Sequence, residues 1–382
     1  MNIAVDVRTL LDKNYSGVGE YTYNLLKNIF KADKENKYFL FYNTVNKNLI
    51  KNLPKFNYDN VFYCGFSYSN KLLNLSFFLF GFPKADEMIN KKFKDILGGG
   101  KIDIFFVPNL NFISISDKCR KIITVHDLSF EIFPEFYSLK RRIWHKAINF
   151  KKQIKKFDSI IAVSKNTKND LINIYGIGSG KIKVIYSGIH DKYRVLDKKQ
   201  LGGVKDKYNL PQKFILYVGN LEPRKNIESF IEALSYVSED VKLVIVGGIG
   251  WKKNKIFKTI KNAGAEDRVI FTGYIDDNEK IKIYNLAKAF IYPSYYEGFG
   301  FPPLESLACN TPVITSYSSS LPEVVGGRAI IVDPFNISEI KEAIKIALSE
   351  DFLIQKNLQK FTWEIASNKF IDNLSYQQRN FA

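Results

Sequence analysis

Two glutamates bracket the run Glu297-Gly298-Phe299-Gly300-Phe301-Pro302-Pro303-Leu304-Glu305, just past the apolar segment Phe290–Tyr292. The glycines let the loop backbone approach a ligand. Pro302-Pro303 suits the first positions of a helix, which places Glu305 in or near its first turn. Carboxylates offered from a loop and a helix can face one ligand and accept hydrogen bonds from its hydroxyls, while loop N–H groups donate to hydroxyls or phosphates. Upstream, Gly219-Asn220-Leu221-Glu222-Pro223-Arg224-Lys225-Asn226 ends in two adjacent cations ahead of a helical pattern. Such a pair can neutralise a diphosphate without metal, or stand as a solvated charge pair. His126-Asp127 follows the run Ile122–Val125, a polar pair that reads as chemistry at a strand end or as a buried structural histidine. Ser16-Gly17-Val18-Gly19-Glu20-Tyr21 leads into the helical pattern Tyr21–Phe30; a glycine turn there can bring N–H groups to an anion, although such turns commonly precede helices.

Other chemistries are excluded by what is missing. No P-loop occurs, since Gly176 to Lys181 has the wrong spacing and Ile182 follows it. Gly247-Gly248-Ile249-Gly250 lacks the third glycine of a dinucleotide fingerprint, and there is no Asp-x-Asp metal clamp. Cys64, Cys119 and Cys309 form no CxxC pair, and His126, His145 and His190 are scattered, so neither a disulfide scaffold nor a metal centre is expected.

These residues need strands to position them. Short apolar runs alternate with helical patterns: Ile3–Val7, Tyr38–Tyr42, Ile104–Val107, Ile122–Val125 and Ser159–Val163, then Phe214–Val218, Lys242–Val246, Val269–Thr272, Phe290–Tyr292, Val313–Thr315 and Ala329–Val332. Continuous apolar strands between helices indicate a parallel sheet covered on both faces, which binds ligands at the carboxyl ends of its strands. The pattern restarts at Phe214 after the polar stretch Asp191–Gln212, where the linker is expected. A length of 382 residues with 46% hydrophobic content suits two such α/β domains. The first run starts at Asn2, leaving no space for a signal peptide, and the most apolar stretch, Leu72–Phe82, is about half of the ~20 residues that a spanning helix needs.

The net charge of +17 is lopsided: residues 1–200 hold 34 Lys and Arg against 18 Asp and Glu, and residues 201–382 hold 22 against 21. Phe136–Lys156 carries eight cations and no acid, with Leu139, Ile143, Ala147, Phe150 and Ile154 at helical spacing. This predicts one basic amphipathic helix, either core-packed with a solvated outer face or meeting anionic lipid headgroups or a phosphate-bearing acceptor. Nucleic acid is not expected, because no nucleic-acid module accompanies the charge.

Together these segments resemble family 4 of the nucleotide-sugar glycosyltransferases, retaining enzymes of GT-B fold. The resemblance rests on Gly17-x-Gly19, His126-Asp127-Leu128, Val163-Ser164-Lys165, Lys183-Val184-Ile185, Leu221 to Asn226, Phe271-Thr272-Gly273-Tyr274 and the glutamates eight apart, Glu297 and Glu305. Three positions depart from it: Glu20 where arginine is frequent, Ile185 to Ile189 for a Pro-Asn-Gly turn, and Asn310 for glycine. Residues 72–97 and the 140s match no family segment; those regions are usually acceptor-side.

The resemblance implies a GT-B α/β architecture, two doubly wound Rossmann-like domains facing across a cleft. It implies an acceptor-side domain 1–195, a donor-binding domain 205–360, and a C-terminal helix at about 361–382 packed back on the first domain. Arg224 and Lys225 are implied to hold the donor diphosphate and Glu305 the ribose. Glu297, with Gly298, Phe299 and Gly300 and with Phe301 beside them, would grip the transferred sugar. Tyr274 and Ile275 would meet the base, Gly17 and Gly19 the phosphates, and His126 the sugar and acceptor. Asp127 is the carboxylate available should the reaction pass through a covalent adduct. The expectation is a metal-independent retaining hexosyltransferase with no cofactor beyond its nucleotide-sugar co-substrate, GDP-mannose first. Its acceptor would be a lipid-diphosphate-linked or growing surface glycan, met in the cytoplasm by an enzyme held peripherally at the inner face of the plasma membrane. The alternatives are a UDP-sugar-dependent transferase with a soluble sugar or sugar-phosphate acceptor, and a non-catalytic nucleotide-sugar-binding subunit.

Overall fold

The computed structural model describes residues 1–248, 250, 253–349 and 358–379. They fall into two units, Met1–Gly188 with Lys360–Ala382, and Ile189–Gln359. The first holds β1 (Asn2–Asp6), β2 (Lys37–Asn43), β3 (Val61–Phe66), β4 (Ile104–Val107), β5 (Arg120–Val125), β6 (Ser159–Ala162) and β7 (Ile182–Val184). These form one parallel sheet in the order β3-β2-β1-β4-β5-β6-β7. The second holds β8 (Phe214–Val218), β9 (Lys242–Val246), β10 (Val269–Gly273), β11 (Ala289–Tyr292), β12 (Val313–Ser316) and β13 (Ile330–Val332). These are parallel in the order β10-β9-β8-β11-β12-β13. Both are doubly wound Rossmann-like sheets, as the alternation of apolar runs and helices required.

Strand order reverses between β1 and β4 and between β8 and β11. At such switch points the connections leave toward opposite faces and open a crevice at the carboxyl ends. The strands beside each switch point are buried almost throughout, Phe105 and Phe106 in β4 and Phe290 and Ile291 in β11 having no exposed surface. Helices cover both faces, so these strands read as unbroken apolar runs.

β3 and β7 were not among the runs legible in the sequence, and both are edge strands of the first sheet. Only alternate stretches of β3 are buried, and β7 is three residues long with a half-exposed lysine at its centre. An edge strand is covered less completely, so its apolar signal is weaker. Asp191–Gln212, expected as a linker, is instead folded onto the second unit, and the division falls ahead of it at Gly188. Its lysines find acids on the helix Asp277–Leu286: Lys192 pairs with Asp277 at 2.5 Å and Lys207 with Glu279 at 2.6 Å.

The basic stretch is two helices, not one. Leu139–Ile148 and Phe150–Ile154 are parted by Asn149 in the left-handed conformation (φ 48°), whose side chain caps the second. Ile148, Phe150 and Ile154 are buried, whereas Leu139 and Ile143 are 70% and 59% exposed. The C-terminal helix Trp363–Arg379 packs on the helix Gly17–Ala32 of the first unit. Its Phe370 ring lies 4.6 Å from Phe106, and Asn373 Nδ2 donates to Ser159 Oγ at 3.2 Å. Residues 380–382 of the expected helix, and Ile249 of the glycine run, lie outside the described residues.

Candidate active site

At the switch point of the second unit, β8 runs through Gly219 into the turn Pro223–Lys225, and β11 runs into the loop that carries Glu297. The two connections meet. Lys225 Nζ lies 2.6 Å from Glu297 Oε1, and Arg224 Nη1 lies 2.8 Å from Glu297 Oε2. All three side chains are at most 14% exposed. Arg224 also donates to the Tyr296 carbonyl at 2.6 Å, and Lys225 to the Tyr292 hydroxyl. The loops are stapled through the backbone, Tyr295 N–H donating to Arg224 O at 2.9 Å. Asn226, buried and left-handed at φ 56°, donates from Nδ2 to the carbonyls of Pro293 and Pro334 at 3.2 and 2.6 Å.

Burial alone would raise the Glu297 carboxyl, but the Arg224 guanidinium and the Lys225 ammonium outweigh it and hold it at about 2. Burial, with the neighbouring guanidinium, pushes the Lys225 ammonium down. Glu297 is thus an anion held between a guanidinium and an ammonium, with a second carboxylate oxygen, Glu222 Oε2, 3.8 Å from Arg224 Nη2. The Glu297 backbone is fixed as well: its N–H donates to Ser319 Oγ at 2.7 Å, and Ser320 Oγ donates to the carbonyls of Glu297 and Phe299 at 2.9 and 2.8 Å. Ser319 is itself left-handed at φ 54°, a cost that a site held from several sides can sustain. Gly300 sits at φ 107°, where a Cβ would also lie 2.9 Å from Leu321 Cδ2. Only glycine fits there, so Gly298, Phe299 and Gly300 form a buried, determined loop rather than a floppy one.

The helix Phe301–Ala308 begins with Pro302 and Pro303 in its first turn, as their type predicts. Glu305 has its own partners: the Tyr284 hydroxyl donates to Oε2 at 2.8 Å, and Lys280 Nζ stands 3.6 Å away. The two glutamates thus occupy separate environments, Glu297 between two cations and Glu305 between a tyrosine hydroxyl and one lysine. Past β10, Tyr274 is 69% exposed while Ile275 is buried in the core. The carboxyl ends of β8 and β9 are drawn together by glycine: a Cβ on Gly247, at φ 143°, would stand 2.2 Å from Gly219 O. The glycine run that failed as a dinucleotide fingerprint therefore serves close backbone approach.

In the first unit, His126 and Asp127 follow β5 and line a pocket of about 490 Å³ together with Val18, Arg141, Trp144 and His145. His126 Nε2 lies 2.9 Å from Pro108 O; a carbonyl can only accept, so Nε2 carries the proton and Nδ1 is the acceptor of the neutral ring. Burial lowers the His126 pKa, which keeps that ring neutral at pH 7. Asp127 Oδ1 accepts from Ser129 N–H at 2.9 Å and from its hydroxyl at 2.6 Å, ordering the short helix Ser129–Ile132. Gly17 and Gly19 do not form a turn ahead of the helix. Gly17 is its first residue, capped by Ser16, and Val18 brings that first turn to the pocket.

Sequence reasoning missed the tyrosines and serines that hold these groups: Tyr292 on Lys225, Tyr284 and Lys280 on Glu305, Ser319 and Ser320 on the Glu297 loop. Tyr292 ends β11, and Ser318-Ser319-Ser320 follows β12, so polar residues at the carboxyl end of a strand were the available signal. Arg141 was read only as one cation of a basic helix, and Trp144 and His145 were not placed in the site, because only the fold brings that helix beside His126.

Residues 204–362 match the family model described as Glycosyl transferases group 1, and residues 42–193 the one described as Glycosyltransferase Family 4. Serotype-specific mannosyltransferase WbdA of Escherichia coli is 30% identical over 258 residues, which cover 64% of this chain but only 30% of that protein. O-antigen chain mannosyltransferase B of Escherichia coli is 28% identical over 265 residues, covering 66% of this chain and 69% of that protein. A Campylobacter jejuni relative, the N-acetylgalactosamine-N,N'-diacetylbacillosaminyl-diphospho-undecaprenol 4-alpha-N-acetylgalactosaminyltransferase, is 31% identical over 201 residues, covering 52% and 53%. Among solved structures, sucrose-phosphate synthase from Thermosynechococcus elongatus superposes with a TM-score of 0.72 at 19% identity, covering 100% of both chains. Anabaena Alr3699/HepE in complex with UDP and glucose gives 0.66 at 17%, covering 98% of this chain and 100% of that one. Two stretches of the chain thus match glycosyltransferase family models, residues 42–193 and residues 204–362, and its two doubly wound sheets are the fold of its GT-B structural neighbours.

Proposed function

We propose that this chain is a retaining glycosyltransferase that moves a hexose, mannose from GDP-mannose in the first instance, onto a lipid-diphosphate-linked or growing surface glycan. The observation that carries the reading is the Arg224–Glu297–Lys225 cluster at the β8/β11 switch point. As the sugar–oxygen bond breaks, negative charge grows on the leaving diphosphate. A guanidinium and an ammonium already held by packing stabilise it without reorganising, which removes the need for a metal. Glu297 then has two tasks: it holds both cations in place and offers its carboxylate to sugar hydroxyls. Glu305, oriented by Tyr284, accepts from the ribose, and the loop after β10 receives the base. The acceptor hydroxyl attacks from the face the diphosphate leaves and passes its proton to the departing phosphate oxygen. His126, neutral with Nδ1 free to accept, positions a sugar hydroxyl. Mannose is favoured because the two Escherichia coli relatives are named mannosyltransferases. A lipid-diphosphate acceptor is favoured by the basic first unit and by the undecaprenol-linked substrate in the name of the Campylobacter relative.

The test is turnover of GDP-mannose with a polyprenyl-diphosphate-linked glycan in the presence of a chelator. The expected product keeps the anomeric configuration of the donor by proton NMR. An inverted product, or a trapped glycosyl adduct on Asp127, would overturn the same-face step. One observation supports a second reading, a UDP-sugar-dependent transferase with a soluble acceptor: the pocket of the first unit has room for a free sugar phosphate, with Arg141 in its wall. Activity on such an acceptor without lipid would favour it.

A further inference from the structure

The stretch Leu72–Phe82, too short to span a membrane, folds as the helix Asn70–Leu79 and the turn after it. A helix with apolar residues on more than one face ordinarily buries each of those faces against a neighbour. This one buries only Leu73 and Phe77, one turn apart. On its outer side Leu72, Leu75, Phe78 and Leu79 are 69%, 51%, 46% and 56% exposed, and Phe80 and Phe82 beyond it are 77% and 62% exposed. The patch continues across an aromatic bridge: the Phe112 ring lies 5.9 Å from Phe78 on one side and 5.9 Å from Trp144 on the other. Trp144 belongs to the helix Leu139–Ile148, whose exposed Leu139 and Ile143 extend the apolar surface. That second helix also presents Lys140, Arg141, Arg142 and Lys146 to solvent and carries no acid.

A large apolar patch on a soluble surface marks a binding face. Its chemistry here, leucine and phenylalanine beside exposed lysine and arginine, complements a layer that is apolar within and anionic at its surface. We propose that the helices Asn70–Leu79 and Leu139–Ile148 form one membrane-docking face, lying in the plane of an anionic bilayer. Leu72, Leu75, Leu79 and Phe80 enter the acyl boundary, and Lys140, Arg142 and Lys146 meet the headgroups. A groove of about 580 Å³ beside the first helix, lined by Leu72, Leu73, Phe82 and Met88 and by Lys84 and Glu87, gives room for part of an acyl chain. The proposal rests on the lipid-linked acceptor of the reading above and is independent of which sugar is transferred.

The experiment is flotation of the full chain with vesicles of phosphatidylcholine alone or mixed with phosphatidylglycerol. The wild type is expected to float with the anionic vesicles and to stay behind with the neutral ones. The variant Leu75→Ser/Leu79→Ser/Phe80→Ser, altered only at exposed positions, should lose at least tenfold in bound fraction while keeping its melting temperature. The variant Lys140→Ala/Arg142→Ala/Lys146→Ala should bind less and lose the dependence on anionic lipid. Full binding by the apolar variant would overturn insertion. A wild type that ignores all vesicles, and that the apolar variant converts from dimer to monomer in sedimentation, would overturn the proposal in favour of a contact between copies. Quenching of Trp144 emission by brominated lipid, lost in Trp144→Phe, reads the wild type directly, and its absence also overturns insertion. Donor binding is titrated in the same preparations: if it persists while vesicles are ignored, the docking face fails and the transferase reading stands.

Discussion

At the scale of single residues, Glu297 is where stability and proposed chemistry meet. Its folded value of about 2 lies below the 4.5 of a free glutamate, so the unfolded chain takes up its proton first as pH falls. The ion pair therefore contributes fully above about pH 4.5 and is lost as pH falls toward 2, a total of about 3 kcal/mol for that gap. Glu297→Gln should be less stable than wild type at pH 6 in urea denaturation, and the difference should shrink at pH 3.5. A constant difference would show that the carboxylate is not held ionised. The same variant should lose at least a hundredfold in transfer rate, because Arg224 and Lys225 lose the group that fixes them. Arg224, Lys225, Glu297 and Glu305 were legible because charge at glycine- and proline-marked strand ends is visible in any sequence. Their supports were not. Tyr292 and Tyr284 look like core aromatics until the fold turns their hydroxyls toward Lys225 and Glu305.

At the scale of elements, the switch-point loops work as one braced unit. Asn226 ties the β8 connection to Pro293 and Pro334, and replacing it with alanine leaves two buried carbonyls without that donor. Asn226→Ala should cost about 1–3 kcal/mol by chemical denaturation and weaken donor affinity with it. Gly247→Ala should cost more than about 2 kcal/mol, since it adds backbone strain to a clash with the Gly219 carbonyl. A neutral effect on melting temperature would refute that reading of the glycine run. Nine of the eleven apolar runs that correspond to strands were legible because central parallel strands are buried on both faces; β10 and β13, the edges of the second sheet, kept apolar runs and were legible as well. The edge strands β3 and β7 were not, and neither was the break at Asn149, where a left-handed residue splits what periodicity alone joins.

Across the whole molecule, the first unit is completed by the helix Trp363–Arg379, which follows the second unit in the chain. Trp363, Ala366, Phe370 and Leu374 are buried, and Trp363 lies 5.8 Å from Tyr21. Truncation before Lys360 should unfold or aggregate the first unit while the second still melts as a transition of its own in calorimetry. Phe370→Ala should cost about 3–5 kcal/mol and lower only the transition of the first unit. A single unaltered transition in both variants would contradict the division. The two-domain class was legible from length and from the restart of the strand pattern at Phe214. The boundary at Gly188 was not, because the lysine-rich segment that looks like a linker in sequence finds its acids only once the second unit is folded.

The most direct measurement is calorimetric titration of GDP, GDP-mannose, UDP and UDP-glucose into the wild type and Lys225→Ala, with a chelator present throughout. The expected result is metal-free binding of GDP-mannose to the wild type, preference over the UDP compounds, and at least tenfold weaker binding to Lys225→Ala. No binding by any of the four, or equal binding by wild type and variant, would contradict the claim that the cluster at the β8/β11 switch point holds the donor diphosphate.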